Sequence, residues 1–311
     1  VTTTGTGRAQ SPPLSRPPRL LRLPGALLRT ARPHQWPKNL LVLAAPLAAA
    51  TLGRHGHRTS DLALAVGAFI CASAAVYAVN DVMDADRDRE HPRKRTRPVA
   101  SGQLGPAQAM TMAAVCGLCT ALGATEIDSL WFTLLISAYL ATSLLYSLGL
   151  KHLPVLELAV VASGFVLRIL GGAAAGRIAP SAWFVLVCSL GALLVATAKR
   201  ATELAALGTT AARQHRPSLR HYTPAGLRLG KRLTALAMLA AYYAWCLTEP
   251  DLQARAWHLA TLLPLTGALL RFDRLTAGSG LVRVEDLLTR DRGMLCWELL
   301  WLALFLPGVL T

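Results

Sequence analysis

The chain has 311 residues, of which 53% are hydrophobic and only 16% charged, against roughly 25% charged in an ordinary soluble domain. That composition excludes a water-soluble globule, a disordered chain and a coiled coil. Six cysteines, all inside apolar runs, exclude a secreted disulfide scaffold. The formal net charge of +15 has meaning only through its distribution, because a basic excess suits nucleic acid, a lipid surface and a topology signal alike.

In chain order, residues 1–30 mix arginines with prolines and hold no apolar stretch long enough for a signal-peptide core. They are expected to form a disordered basic tail on the cytoplasmic side. Residues 31–311 are expected to form one membrane domain. Apolar runs recur at roughly 39–53, 61–80, 104–124, 129–148, 153–175, 182–199, 231–248, 256–272 and 293–310. At about 1.5 Å per residue, such runs suit a ~30 Å hydrocarbon core. The expected fold class is therefore all-α, a polytopic bundle of nine transmembrane helices.

Nine spans and a cytoplasmic N-terminus put loops 2–3, 4–5, 6–7 and 8–9 in the cytoplasm. With the tail, that side carries 27 of the 32 Lys and Arg residues; the opposite side carries 4, and Arg168 lies within a span. The basic excess reads as a positive-inside signal and as contact with anionic membrane lipids, in a multi-pass plasma-membrane protein. No nucleic-acid partner is expected, since no aromatic and basic platform accompanies the charge. Arg54, His55, His57 and Arg58 fall on the far side, where a solvated loop is expected.

The scarce acids carry the chemistry. Asp81, Asp84, Asp86, Asp88 and Glu90 cluster at the cytoplasmic end of the second span. At about 100° per residue, Asp81, Asp84 and Asp88 share one helical face and Asp86 points elsewhere. Three carboxylates on one stripe at a membrane boundary demand a cation. Oxygen-only ligands with open coordination positions suit Mg2+ bridging to substrate phosphates. The bland alternative is a solvated helix end balanced by the basic run from Arg93 to Arg97, which leaves the stripe unexplained.

The segment Asn80-Asp81-Val82-Met83-Asp84-Ala85-Asp86-Arg87-Asp88, followed by Arg97-Pro98-Val99-Ala100-Ser101-Gly102, resembles the signature of the UbiA superfamily of intramembrane prenyltransferases. The resemblance implies a nine-helix bundle that binds a diphosphate through Mg2+ at the cytoplasmic helix ends. Asp81, Asp84 and Asp88 would be the catalytic metal ligands, and Asn80 and Arg95 would contact substrate. The chain departs from the usual pattern in loop 6–7, where a second aspartate motif gives way to Lys199-Arg200-Ala201-Thr202-Glu203.

That loop, together with Arg32-Pro33-His34-Gln35-Trp36-Pro37-Lys38-Asn39, Gly149-Leu150-Lys151-His152, Glu285-Asp286 and Arg290-Asp291-Arg292, resembles a phosphoribosyl-transferring branch of the superfamily. Ala201 stands where that branch usually has a tyrosine. The resemblance implies phosphoribosyl diphosphate as donor, polyprenyl (decaprenyl) phosphate as acceptor and a step toward arabinan precursors of the cell wall. Ordinary transfer of an isoprenoid from its diphosphate to a small acceptor is the alternative.

Donor and acceptor together carry three anionic groups. Mg2+ on the aspartate face holds only the diphosphate, so Lys and Arg must take the other two. Lys38, Tyr146, Lys151, Lys199, Arg200 and Glu203 complete the candidate substrate-binding set. Arg168 joins it because a guanidinium facing lipid would be expensive; it is expected to meet substrate or a carboxylate such as Glu157. The small residues Gly171 to Gly176 are expected to allow close helix packing.

Overall fold

The computed structural model describes residues 19–49, 59–91, 94–215, 217–277 and 284–310, and no strand occurs among them. In chain order the helices are α1 Arg19–Ala31, α2 Ala44–Ala48, α3 Thr59–Met83, α4 Ala85–Glu90, α5 Pro106–Ile127, α6 Leu130–Leu148, α7 Leu156–Ala175, α8 Ala182–His215, α9 Pro224–Thr248, α10 Leu252–Ala260, α11 Leu262–Ala277, α12 Val284–Arg290 and α13 Arg292–Leu310. A 3-10 stretch, Pro33–Leu43, joins α1 to α2. The histidine-containing loop after α2 lies outside the described residues.

Among the described residues six helices are long and apolar enough to cross a membrane: α3, α5, α6, α7, the Ala182–Ala206 part of α8, and α13. The other three expected spans take different forms. Pro33 and Pro37 withhold amide donors, so the first span is the 3-10 stretch continued by short α2. The seventh, α9, is 25 residues long but carries Arg228, Lys231 and Arg232 in its first half. The eighth breaks at Thr261 into α10 and α11, with Pro264 just beyond.

The expected disorder of residues 1–30 is corrected for residues 19–30, which are helical from Arg19; residues 1–18 lie outside the described residues. Tertiary packing overrides the proline-rich composition here. Leu23, Ala26 and Leu27 of α1 dock on Val82, Ala85, Val99, Leu104 and Ala109, beneath the loop that follows the aspartates.

Packing is chiefly between neighbours in sequence: α3 on α5, α6 on α7 and α8 on α9, with α7 on α8 joining the two halves. In the first half Phe69 meets Phe132 and Tyr139 edge-on, with centroids 6.0 and 5.4 Å apart. The small-residue run in α7 does what its sequence suggests. A Cβ on Gly172 would fall 1.7 Å from the Val42 carbonyl oxygen, so only glycine lets the 3-10 stretch lie against α7. Leu118, Leu122, Trp131, Leu134 and Leu299 point outward, forming the apolar exterior that a bilayer covers.

Candidate active site

α3 ends at Met83, yet the i to i−4 ladder continues through the break. Asp84 N–H donates to Asn80 O and Asp88 N–H to Asp84 O, both at 2.9 Å. Helical stacking therefore persists from Asn80 to Asp88 and sorts the acids by face. The side chains of Asp81 and Asp88 are 2% and 3% exposed and that of Asp84 is 21% exposed. Asp86, at 93%, points into solvent beside Arg89.

Each carboxylate on the buried face meets a cation from a different segment. Arg32 Nη2 lies 2.5 Å from Asp81 Oδ1. Arg97 Nη1 bridges Asp81 at 3.3 Å and Asp88 at 2.6 Å. Lys151 Nζ donates to the two Asp84 oxygens at 3.1 and 3.4 Å. Arg32 reaches its place because the chain turns through a left-handed residue there, φ 52°. Its guanidinium also covers the Tyr77 ring, 4.5 Å from the centroid.

A second cluster adjoins the first through the short α6–α7 connection. Arg200, buried on α8, lies 3.2 Å from Glu157 Oε1 through its Nε and pairs with Glu203 through Nη1. Its Nη2 donates to Tyr146 OH at 3.4 Å. Glu157 is fully buried in the first turn of α7. Tyr222, in the α8–α9 connection, accepts the Val155 N–H at 2.7 Å. Burial pushes the Tyr222 hydroxyl above its ordinary range and the Val155 N–H pulls it back only in part, so the phenol stays neutral at physiological pH.

The structure thus brings together Asp81, Asp84, Asp88 and Lys151, and in the adjoining cluster Tyr146, Arg200 and Glu203. Asn80 and Lys199 are half-buried on the same helices, and Lys38 is half-buried on the 3-10 stretch. Arg95 is exposed on a 3-10 turn, and its neighbour Arg97 reaches the carboxylates instead. Arg168 is buried, but its hydrogen-bond partners among the described residues are neutral. They are Asn39 Oδ1 at 2.8 Å, Gly164 O at 2.6 Å, Ser73 Oγ at 3.0 Å and Tyr139 OH at 2.8 Å. Glu157, its expected acid, is engaged by Arg200.

Sequence reasoning missed Arg32, Arg97 and Glu157 as site members. All three were visible as signals: Arg32 opens the Arg-Pro-His-Gln-Trp stretch, Arg97 opens Arg-Pro-Val-Ala-Ser-Gly, and Glu157 is a lone acid beside the short loop that holds Lys151. Distance along the chain concealed which carboxylate each one meets.

Among the described residues no three acidic, His or Cys side chains converge closely enough to cage an ion by themselves. Asp81, Asp84 and Asp88 offer carboxylate oxygens alone, a donor chemistry that suits a hard divalent cation completing its shell with substrate phosphate and water.

Residues 40–281 match the UbiA prenyltransferase family. The chain belongs to that family. Among its relatives, the decaprenyl-phosphate phosphoribosyltransferase of Mycobacterium tuberculosis is 38% identical over 284 residues, covering 90% of this chain and 93% of that one. The enzyme of the same name from Corynebacterium glutamicum is 39% identical over 254 residues, 80% of this chain and 76% of that one. The fold is shared with a UbiA homolog from Archaeoglobus fulgidus solved with GPP and Mg2+ bound. The TM-score is 0.70 at 15% identity, covering 92% of this chain and 100% of that one. At this identity the likeness speaks for the fold alone.

Proposed function

We propose that this multi-pass UbiA-family membrane enzyme transfers a 5-phosphoribosyl group from phosphoribosyl diphosphate to a polyprenyl phosphate of the decaprenyl type, releasing pyrophosphate. Identity of 38% and 39% over 90% and 80% of this chain to two enzymes named for that reaction supports the substrate pair. The observation that carries the reading is the charge pattern: three buried or half-buried carboxylates, each matched by Arg32, Arg97 or Lys151, with Arg200 in place of a second aspartate motif. Such a site gathers several anionic groups, which donor and acceptor together bring.

In this reading Asp81, Asp84 and Asp88 would hold Mg2+, which when bound would supply positive charge to neutralise the diphosphate and ease its departure. Arg32, Arg97 and Lys151 then face the diphosphate oxygens, making charge-assisted hydrogen bonds to a leaving group that gains negative charge. Arg200 and Lys199 serve the remaining phosphates, and Glu157 and Glu203 fix Arg200 in its orientation. The ribose C1–O bond to pyrophosphate breaks through an oxocarbenium-like transition state, and a lipid phosphate oxygen forms the new C1–O bond on the opposite face. The acceptor is already an anion at neutral pH, so no general base is required and positioning carries the rate.

The same reading places nine spans across a plasma membrane, with α10 and α11 forming one of them, the N-terminus and the carboxylate end in the cytoplasm, and the product feeding cell-wall arabinan precursors. The 27-to-4 division of Lys and Arg supports that orientation. The test is incubation of the purified protein with labelled phosphoribosyl diphosphate, Mg2+ and a panel of polyprenyl phosphates. Label is expected in an organic-soluble, acid-labile product. Consumption of an isoprenoid diphosphate in its place, with phosphoribosyl diphosphate ignored, would restore ordinary prenyl transfer.

A further inference from the structure

The connection between α6 and α7 contains a backbone conformation that its residue disfavours. Val155 lies at φ 65°, ψ −52°, and the Leu156 N–H donates to Pro154 O at 2.7 Å. Together these close a three-residue γ-turn of the rare, strained kind. A β-branched side chain on the positive side of φ is an outlier that persists only where its surroundings hold it. Val155 is itself 70% exposed, so burial of its side chain does not hold it.

What engages the turn is Tyr222. Its ring packs against Leu204, Leu219 and Leu227, anchored to α8 and α9, and its hydroxyl accepts the Val155 N–H at 2.7 Å. The same hydroxyl faces the Glu157 carboxylate. The residues flanking the turn are those that join the two clusters: Lys151, four residues before, on Asp84, and Glu157, two residues after, on Arg200. Relaxing Val155 to negative φ would rotate the peptide between them and change the spacing of these two ion pairs.

We infer that Tyr222 is a positioning residue for the transfer reaction, holding the strained Val155 turn so that Lys151 and Arg200 face the substrate phosphates from fixed places. The inference rests on the reading of those cations as phosphate holders. Tyr222→Phe keeps the ring in its apolar cluster and removes the acceptor. Its KM for phosphoribosyl diphosphate is expected to rise about tenfold with kcat changed far less, the pattern of lost uniform binding.

Glycine adopts positive φ without a side-chain penalty. Adding Val155→Gly to Tyr222→Phe should therefore return KM to within about threefold of wild type, a rescue that a merely structural role for the tyrosine would not allow. Hydrogen exchange of the Val155 amide supplies a readout that needs no turnover, and Tyr222→Phe should accelerate it. An unchanged KM, an unrescued double variant, or a Val155 amide exchanging at the wild-type rate in Tyr222→Phe overturns the role of Tyr222. A wild type that leaves phosphoribosyl diphosphate unconsumed overturns the donor assignment instead.

Discussion

Gly172→Ala gives the severest test of how the first segment is seated. The added Cβ would lie 1.7 Å from the Val42 carbonyl oxygen and 2.5 Å from its carbon, where optimal non-bonded separations are about 3.5–4.0 Å. Both obstacles are backbone atoms, so no side chain can swing aside and the 3-10 stretch must retreat. Overpacking of this kind costs about 1–3 kcal/mol. The retreat also draws away Asn39, three residues upstream, whose Oδ1 accepts from Arg168 Nε at 2.8 Å. A hydrogen bond to a charged group is worth about 1.5–3 kcal/mol.

The two together come to about 2.5–6 kcal/mol, a large part of an ordinary stability of about 5–15 kcal/mol. Gly164→Ala, on the same helix, is the control. Its Cβ would stand 3.7 Å from Arg168 Nη1 and 3.9 Å from the Tyr139 ring, ordinary contacts, so the helix gains about 0.5–1 kcal/mol. Thermal unfolding in detergent, followed by tryptophan fluorescence, should show a much lower melting temperature for the first variant and an equal or higher one for the second. A Gly172→Ala protein melting within about 2 °C of wild type would refute the close approach.

Two further outcomes follow from the site and its orientation. Asp84→Asn should cut turnover by about 100-fold or more and raise the Mg2+ concentration for half-maximal rate, whereas Asp86→Asn should stay within about twofold of wild type; equal losses, measured across a Mg2+ titration, would undo the facial sorting of the acids. Single cysteines at Ser101 and Arg220, both exposed, in a background freed of native cysteines, should react with an impermeant maleimide only from the cytoplasmic face. Labelling from opposite faces would end the nine-span arrangement.

Much of the carboxylate site was legible because it is local. Asp81, Asp84 and Asp88 lie on consecutive turns, so periodicity alone separates them from Asp86, and the glycines of α7 announce close approach by their type. The partners were not legible, because Arg32 and Lys151 meet Asp81 and Asp84 across 49 and 67 positions, and no periodicity reports such contacts. Arg168 shows the opposite limit. Its charge predicts a partner, but a buried guanidinium can be satisfied by neutral oxygens, and here Asn39, Ser73, Tyr139 and the Gly164 carbonyl do so. The first span was misjudged in form because hydropathy ignores the amide donors that Pro33 and Pro37 lack. The N-terminal helix was missed because its stability comes from docking.

The matching of three carboxylates by three cations has a thermodynamic consequence for the order of events. A metal ion arriving alone must pull Asp81, Asp84 and Asp88 away from Arg32, Arg97 and Lys151 and leave those cations without anions. A diphosphate arriving alone must do the reverse and strand the carboxylates. When both arrive, every displaced charge finds a new partner, so the penalty paid by the first is recovered by the second. On the proposed reading, metal and donor are expected to bind with positive cooperativity, each raising the affinity for the other by the same factor, so that the magnesium salt of the donor would be taken up in preference to either component.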